Sequence, residues 1–116
     1  MIIHKYTREQ AIADGVLIDV SEMAKEAGFK VPVAITSGVH EIITPSAEEE
    51  RMGQSENGRL WDILFVLYWR IKTSPENTSK ILYEVLIGGS EVKLKAICHP
   101  GDHGEPVITI MLPDED

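Results

Sequence analysis

Hydrophobic and polar positions change their spacing twice along this chain. Through the first 52 residues the apolar side chains come in short groups separated by glycine, proline and helix-capping residues. Thr7-Arg8-Glu9-Gln10 has the form of a capping box: Thr7 accepts from the Gln10 amide, and the Gln10 side chain returns to the Thr7 amide. This predicts a short helix that stops at Asp14-Gly15. Val16-Leu17-Ile18 then has the look of an extended segment, and Ser21 caps a second short helix ended by Gly28. Val31-Pro32-Val33-Ala34-Ile35 predicts a strand, with Pro32 placing it at a sheet edge or a strand start. A third short helix is expected over Ser37 to Ile43, closed off by Pro45. Ser46 and Glu49 form another capping box, giving one or two turns over Ala47 to Met52, and Gly53 to Gly58 is expected to be a mobile loop.

The second regime is the run LWDILFVLYWRI, in which ten of twelve residues are apolar. Its length favours a helix from Arg59 to Thr73 over a strand. On a helical projection Arg59, Asp62, Val66, Arg70 and Thr73 share one narrow stripe, so the rest of this helix is expected to be buried, with Trp61 and Trp69 as core anchors. The third regime is period two. Ile81 to Ile87 predicts a strand turning at Gly88-Gly89-Ser90. Glu91 to Cys98 alternates, which points Val92, Leu94, Ala96 and Cys98 inward and Glu91, Lys93 and Lys95 outward. Val107 to Leu112 is almost continuously apolar, as a central strand would be. The predicted fold is α+β in one domain spanning 1–116: short N-terminal helices, one long buried helix, and an antiparallel sheet of three to four strands ending in a C-terminal β-meander.

Composition sharpens this picture mainly through charge. The net charge of −8 argues against nucleic acid as a direct partner, because phosphate contacts need clustered Lys and Arg, and the eleven basic residues are scattered. An acidic surface suits a soluble protein or one that occupies a basic groove on a partner. One cysteine, Cys98, excludes an intrachain disulfide framework and a cysteine-rich zinc site, and its inward position makes it a buried, inert thiol. MIIHKYTREQ lacks the apolar core of a secretion signal, and no apolar run approaches membrane-spanning length, so a cytoplasmic protein is expected.

The most suggestive chemistry lies in HPGDHGEP, residues 99–106. Proline second and glycine third in His99-Pro100-Gly101-Asp102 fit a type II turn. A metal reading would recruit His99, Asp102 and His103, with His40 or His4, but loop spacing alone does not define a coordination geometry, and no metal or other cofactor is expected. Cys98 and His99 are not a catalytic dyad, since strand neighbours point to opposite faces. No Walker loop, dinucleotide fingerprint, GxSxG or HExxH is present, and small ribonuclease toxins with a similar element order need more basic residues than Lys93 and Lys95 supply. An enzyme is therefore not expected, and no catalytic residue is assigned.

At YTREQAIADGVLIDV, GRLWDILFVLYW and LKAICHPGDHGEPVITIMLPDED the chain resembles an uncharacterised family of small acidic proteins encoded on plasmids, phages and other mobile bacterial elements. The resemblance brings no activity, catalytic residue or cofactor. It implies a setting in which a small acidic protein counters host defences, by imitating a phosphate backbone on the basic surface of a defence protein or complex. Glu48, Glu49 and Glu50, with Asp114, Glu115 and Asp116, are the candidate partner-binding residues. An alternative is a binder or sponge for a small nucleotide signal, using Arg59, Arg70, the tryptophans and the glycine turns. A structural or regulatory role for the element is the third possibility, and edge pairing into a homodimer is open to any of them.

Overall fold

Local capping sets where most of the helices begin; the second is the exception, since Ser21, the expected cap, is its first residue and Val20 ahead of it makes no side-chain cap bond. The structure, a computed structural model, describes residues 6–74 and 78–115. Thr7 and Gln10 form the anticipated box at the head of α1 (Arg8–Ala13), and Ser46 and Glu49 do the same for α4 (Ala47–Arg51). Between them lie β1 (Leu17–Asp19), α2 (Ser21–Ala27), β2 (Val33–Thr36) and α3 (Ser37–Ile43). Ser55 accepts from the Gly58 amide at 3.0 Å and starts α5 (Glu56–Thr73) three residues before Arg59. The end of the expected loop is thus the first turn of the long helix. β3 (Lys80–Ile87), β4 (Ser90–Pro100) and β5 (Pro106–Met111) complete the chain.

The sheet has five strands in the order β1-β2-β5-β4-β3, and it is mixed. β2 runs parallel to β5, with Val33 opposite Ile108 and Ile35 opposite Ile110, while the other three pairings are antiparallel. The expected antiparallel sheet of three to four strands is corrected on both counts. β2 is an inner strand, and Pro32 sits just ahead of it with its carbonyl accepting from the Ile108 amide at 2.9 Å. β5 lies at the centre of the sheet, and Val107 to Met111 are all buried.

One face of the sheet carries Val33, Ile35, Tyr83, Leu94, Ile108 and Ile110 and packs beneath α2, α3 and α5. α5 contributes Leu60, Ile63, Leu64 and Leu67 to this core. Its opposite side is open: Trp61, Phe65 and Trp69 are 37%, 44% and 51% exposed and form a ladder of ring contacts. The tryptophans are surface residues, not core anchors. Of the expected polar stripe, Asp62, Arg70 and Thr73 are exposed, with Arg70 donating to the Leu82 carbonyl, while Arg59 is buried. A single helix laid on one side of a sheet buries only about half its circumference, however apolar the remainder.

Cys98 is also displaced from its expected place. β4 outruns β3, whose first residue pairs with Ile97, so Cys98 extends past the cover of its neighbour and is exposed. Lys95, expected outside, is buried on the second face of the sheet, where its Nζ donates to the carbonyls of Pro113 and Glu115.

Candidate functional site

The second face of the sheet carries Leu17, Thr36, Lys95, Ile97, His99, Thr109 and Met111, and α1 and the C-terminal segment close over part of it. What holds α1 there is Asp102. Its Oδ1 accepts from the Arg8 amide at 2.8 Å and its Oδ2 from the Glu9 amide at 3.0 Å, so the β4–β5 loop supplies partners for two amides that a helix start leaves unsatisfied. The loop itself departs from the expected type II turn. Gly101 does not have positive φ. The turn spans Gly101 to Gly104, with the Gly104 amide on the Gly101 carbonyl, and the left-handed residue is Gly104 at φ +82°.

Between α1 and the sheet lies a cleft of about 530 Å³. Tyr6, Ala11, Val16, Leu17, Ile97 and Met111 make it predominantly apolar, and its size falls in the usual range for small-molecule sites. Its polar groups form one chain. Arg8 Nη1 donates to Thr109 Oγ1 at 3.4 Å, and Thr109 Oγ1 lies 2.8 Å from His99 Nε2. His99 Nδ1 is 3.1 Å from the Pro100 carbonyl, which only accepts, so Nδ1 carries a proton, and in the neutral ring Nε2 accepts from the threonine hydroxyl. The second guanidinium nitrogen, Arg8 Nη2, is buried and has no hydrogen-bond partner among the described residues. Burial pushes the Arg8 guanidinium below its ordinary value, against the opposing pull of Asp19, Asp102 and Glu105. Glu115 at the cleft margin is already engaged: its Oε1 accepts from Thr36 Oγ1 and from the Leu112 amide, each at 2.9 Å.

The residues singled out from sequence fall into separate places. Glu49 accepts from Arg59 Nη2 at 2.7 Å and caps α4, so it belongs to the scaffold, as Glu115 does. Glu48, Glu50 and Asp114 are exposed, and Asp116 lies outside the described residues. Arg59 lines a shallow groove of about 400 Å³ with Trp61, Gly88 and Gly89, but its guanidinium is spent on Glu49, Gln54 and the Ile42 carbonyl. Arg70 lies beside Thr73 and Lys80, in a different depression. The two arginines do not converge. Of the histidines, His40 sits 2.6 Å from Glu56, His99 belongs to the cleft, and His4 lies outside the described residues. Among the described residues no three His, Cys, Asp or Glu side chains gather as a metal site, and no helix is long and apolar enough to cross a membrane. Sequence reasoning missed Arg8 and Thr109. The available signal was Asp102, an acid that turn geometry explained only as a polar residue.

A two-layer α+β domain with an amphipathic cleft on its less covered face defines the class of this molecule. The chain belongs to a family of unknown function (DUF6573), whose model matches residues 1–116. No curated protein and no solved structure matches it.

Proposed function

We propose that this protein is a non-enzymatic binder of a small amphipathic anion, held in the cleft between α1 and the sheet. The observation that carries this reading is Arg8, half-buried in an apolar cleft with Nη2 lacking an acceptor among the described residues. A buried guanidinium nitrogen without a partner is costly, and an anion seated beside it supplies the missing acceptor after a small rotation of the side chain. The surrounding acids set the charge of that anion. Asp19, Asp102 and Glu105 all act on Arg8, so a monoanionic head such as a carboxylate fits better than a polyphosphate. The apolar lining takes the body of the ligand. This moves the small-molecule reading away from Arg59 and Arg70 and away from nucleotides.

Decanoate, with decanol as its neutral counterpart, tests the reading by calorimetry. Decanoate should bind the wild-type chain, and Arg8→Met should weaken it by roughly ten- to a hundredfold, the range for loss of one charge-assisted hydrogen bond. Decanol should be indifferent to the substitution. Equal decanoate affinity in the two proteins would remove the cleft from consideration.

The counter-defence role on a mobile element is a second reading, supported by the net charge of −8 and by the exposure of Glu48, Glu50 and Asp114. On this reading the partner is a host defence protein with a basic surface, captured at low salt and released as salt is raised. Capture that survives raised salt, or that Glu48→Lys with Glu50→Lys leaves unchanged, counts against it.

A further inference from the structure

Among the described residues β3 is the outermost strand of the sheet, bonded only to β4. Gly88 and Gly89, at φ +59° and +82°, make a two-residue hairpin loop of the mirror-image type, which closes on a hydrogen-bonded pair, Ile87 with Ser90. Bonded and non-bonded pairs alternate from there, so the odd residues of β3 bond to β4 and the backbone groups of Leu82, Glu84 and Leu86 point away from the sheet. Two contacts agree with this assignment. The Cys98 amide donates to the Ser79 carbonyl at 2.8 Å on the inner side, and Arg70 Nη2 reaches the Leu82 carbonyl at 3.3 Å from outside.

Edges of this kind are usually blunted by proline, a bulge or brevity. β3 has eight residues, no proline and an unbroken register, and its Leu82 and Leu86 are 57% and 68% exposed. Its charge order is Lys80-Ile81-Leu82-Tyr83-Glu84, with lysine, leucine and glutamate on one face. A two-fold copy must pair antiparallel and set even residues against even ones. Centring the pair on Glu84 opposes two glutamates, and centring it on Tyr83 opposes each charge with a leucine. Centring it on Leu82 places Lys80 against Glu84 of the other copy, twice, and leucine against leucine. Only this register is complementary.

We propose that the β3 edge joins two copies of this chain through antiparallel pairing centred on Leu82, making one continuous ten-stranded sheet. The Leu82 carbonyl has two lone pairs, so it can keep Arg70 while accepting from its counterpart. Glu84 faces Lys93 on β4 and neighbours Glu91, whose carboxyl it holds above the usual range, so a further cation from the other copy offsets the crowding of the two acids. This edge belongs to β3 alone, away from α1, so it is independent of the ligand cleft.

Sedimentation across a concentration series tests the register. The wild-type chain should dimerise. Lys80→Glu and Glu84→Lys should each weaken the dimer about tenfold or more, since each turns two attractive pairs repulsive, and the double exchange should restore it. Lys80 and Glu84 are exposed, and circular dichroism establishes that each variant is folded. A chain that stays monomeric throughout, or a dimer that ignores the single exchanges, overturns the proposal.

Discussion

Replacing Arg59 with alanine should cost about 3 kcal/mol of stability and lower the thermal midpoint by roughly 10 °C. Arg59 is 7% exposed, and its guanidinium ties three segments to the start of α5. Nη2 donates to Glu49 on α4 at 2.7 Å, Nε to Gln54 at 3.0 Å, and Nη1 to the Ile42 carbonyl of α3 at 3.1 Å. Truncation leaves a half-buried carbonyl and an amide oxygen without their donor, which is the expensive way to lose a hydrogen bond. The effect has a pH signature. The Ser46 amide and then Arg59 hold the Glu49 carboxyl below its usual range. A lowered native value means that the ionised group stabilises the fold above the ordinary carboxylate pKa, and that this is lost as pH falls toward the native value. The gap between wild type and Arg59→Ala should therefore narrow on acidification, although the Ser46 share persists in both. Denaturant melts at neutral and acidic pH measure this directly. A gap that is small, or that widens in acid, would show that Arg59 is not a keystone of this corner.

Gly28→Ala should be the second large effect, at about 3 kcal/mol. Gly28 ends α2 at φ +117°, and its amide donates to the Ala24 and Lys25 carbonyls. A Cβ there would lie 2.5 Å from Tyr68 Cε1 and 2.8 Å from Cζ. The ring has little freedom to give way, being edge-on to Phe29 at 5.8 Å and to Trp69 at 5.9 Å. Gly15→Ala separates the two contributions. That position also has positive φ, +77°, but nothing lies within 4 Å of its Cβ, so it should show only the backbone penalty of about 1 kcal/mol. The clash contribution should be coupled to Tyr68: Gly28→Ala with Tyr68→Ala should cost less than the sum of the single changes. Strict additivity in denaturant unfolding would mean that the close approach is not what holds Gly28 in place.

The starts of α1 and α4 were legible in the sequence because capping is local. Thr7 with Gln10 and Ser46 with Glu49 specify their helices within four residues. The β3–β4 hairpin was legible for the same reason, in Gly88-Gly89. Long-range relations were not. Nothing in the spacing of Val33 to Thr36 reveals a parallel neighbour at Ile108, and a three-residue strand such as Leu17–Asp19 carries too little pattern to declare itself. The apolar run of α5 has hardly any polar contrast, so the side that meets the sheet was decided by what lies beneath it. Cys98 continues a perfect alternation beyond the point where the neighbouring strand ends. The cleft was the least legible feature. Arg8 and Thr109 acquire their meaning only from each other, across almost the whole chain.

The Asp102 tether has a consequence for the order of assembly. Its bonds to the Arg8 and Glu9 amides span 94 and 93 positions, so α1 gains these two partners only once the last hairpin exists. Closing so large a loop is slow, and contacts of this separation form late. Thr36 to Glu115 closes a comparable span, 79 positions, at the other margin of the cleft. Both margins of the cleft are thus fastened by contacts of long sequence separation. A chain that has built α5 and the β3–β4 hairpin but not its final strand would present neither wall. Occupancy of the cleft would then report completed folding, and a ligand there would act as a clasp between the two ends of the polypeptide.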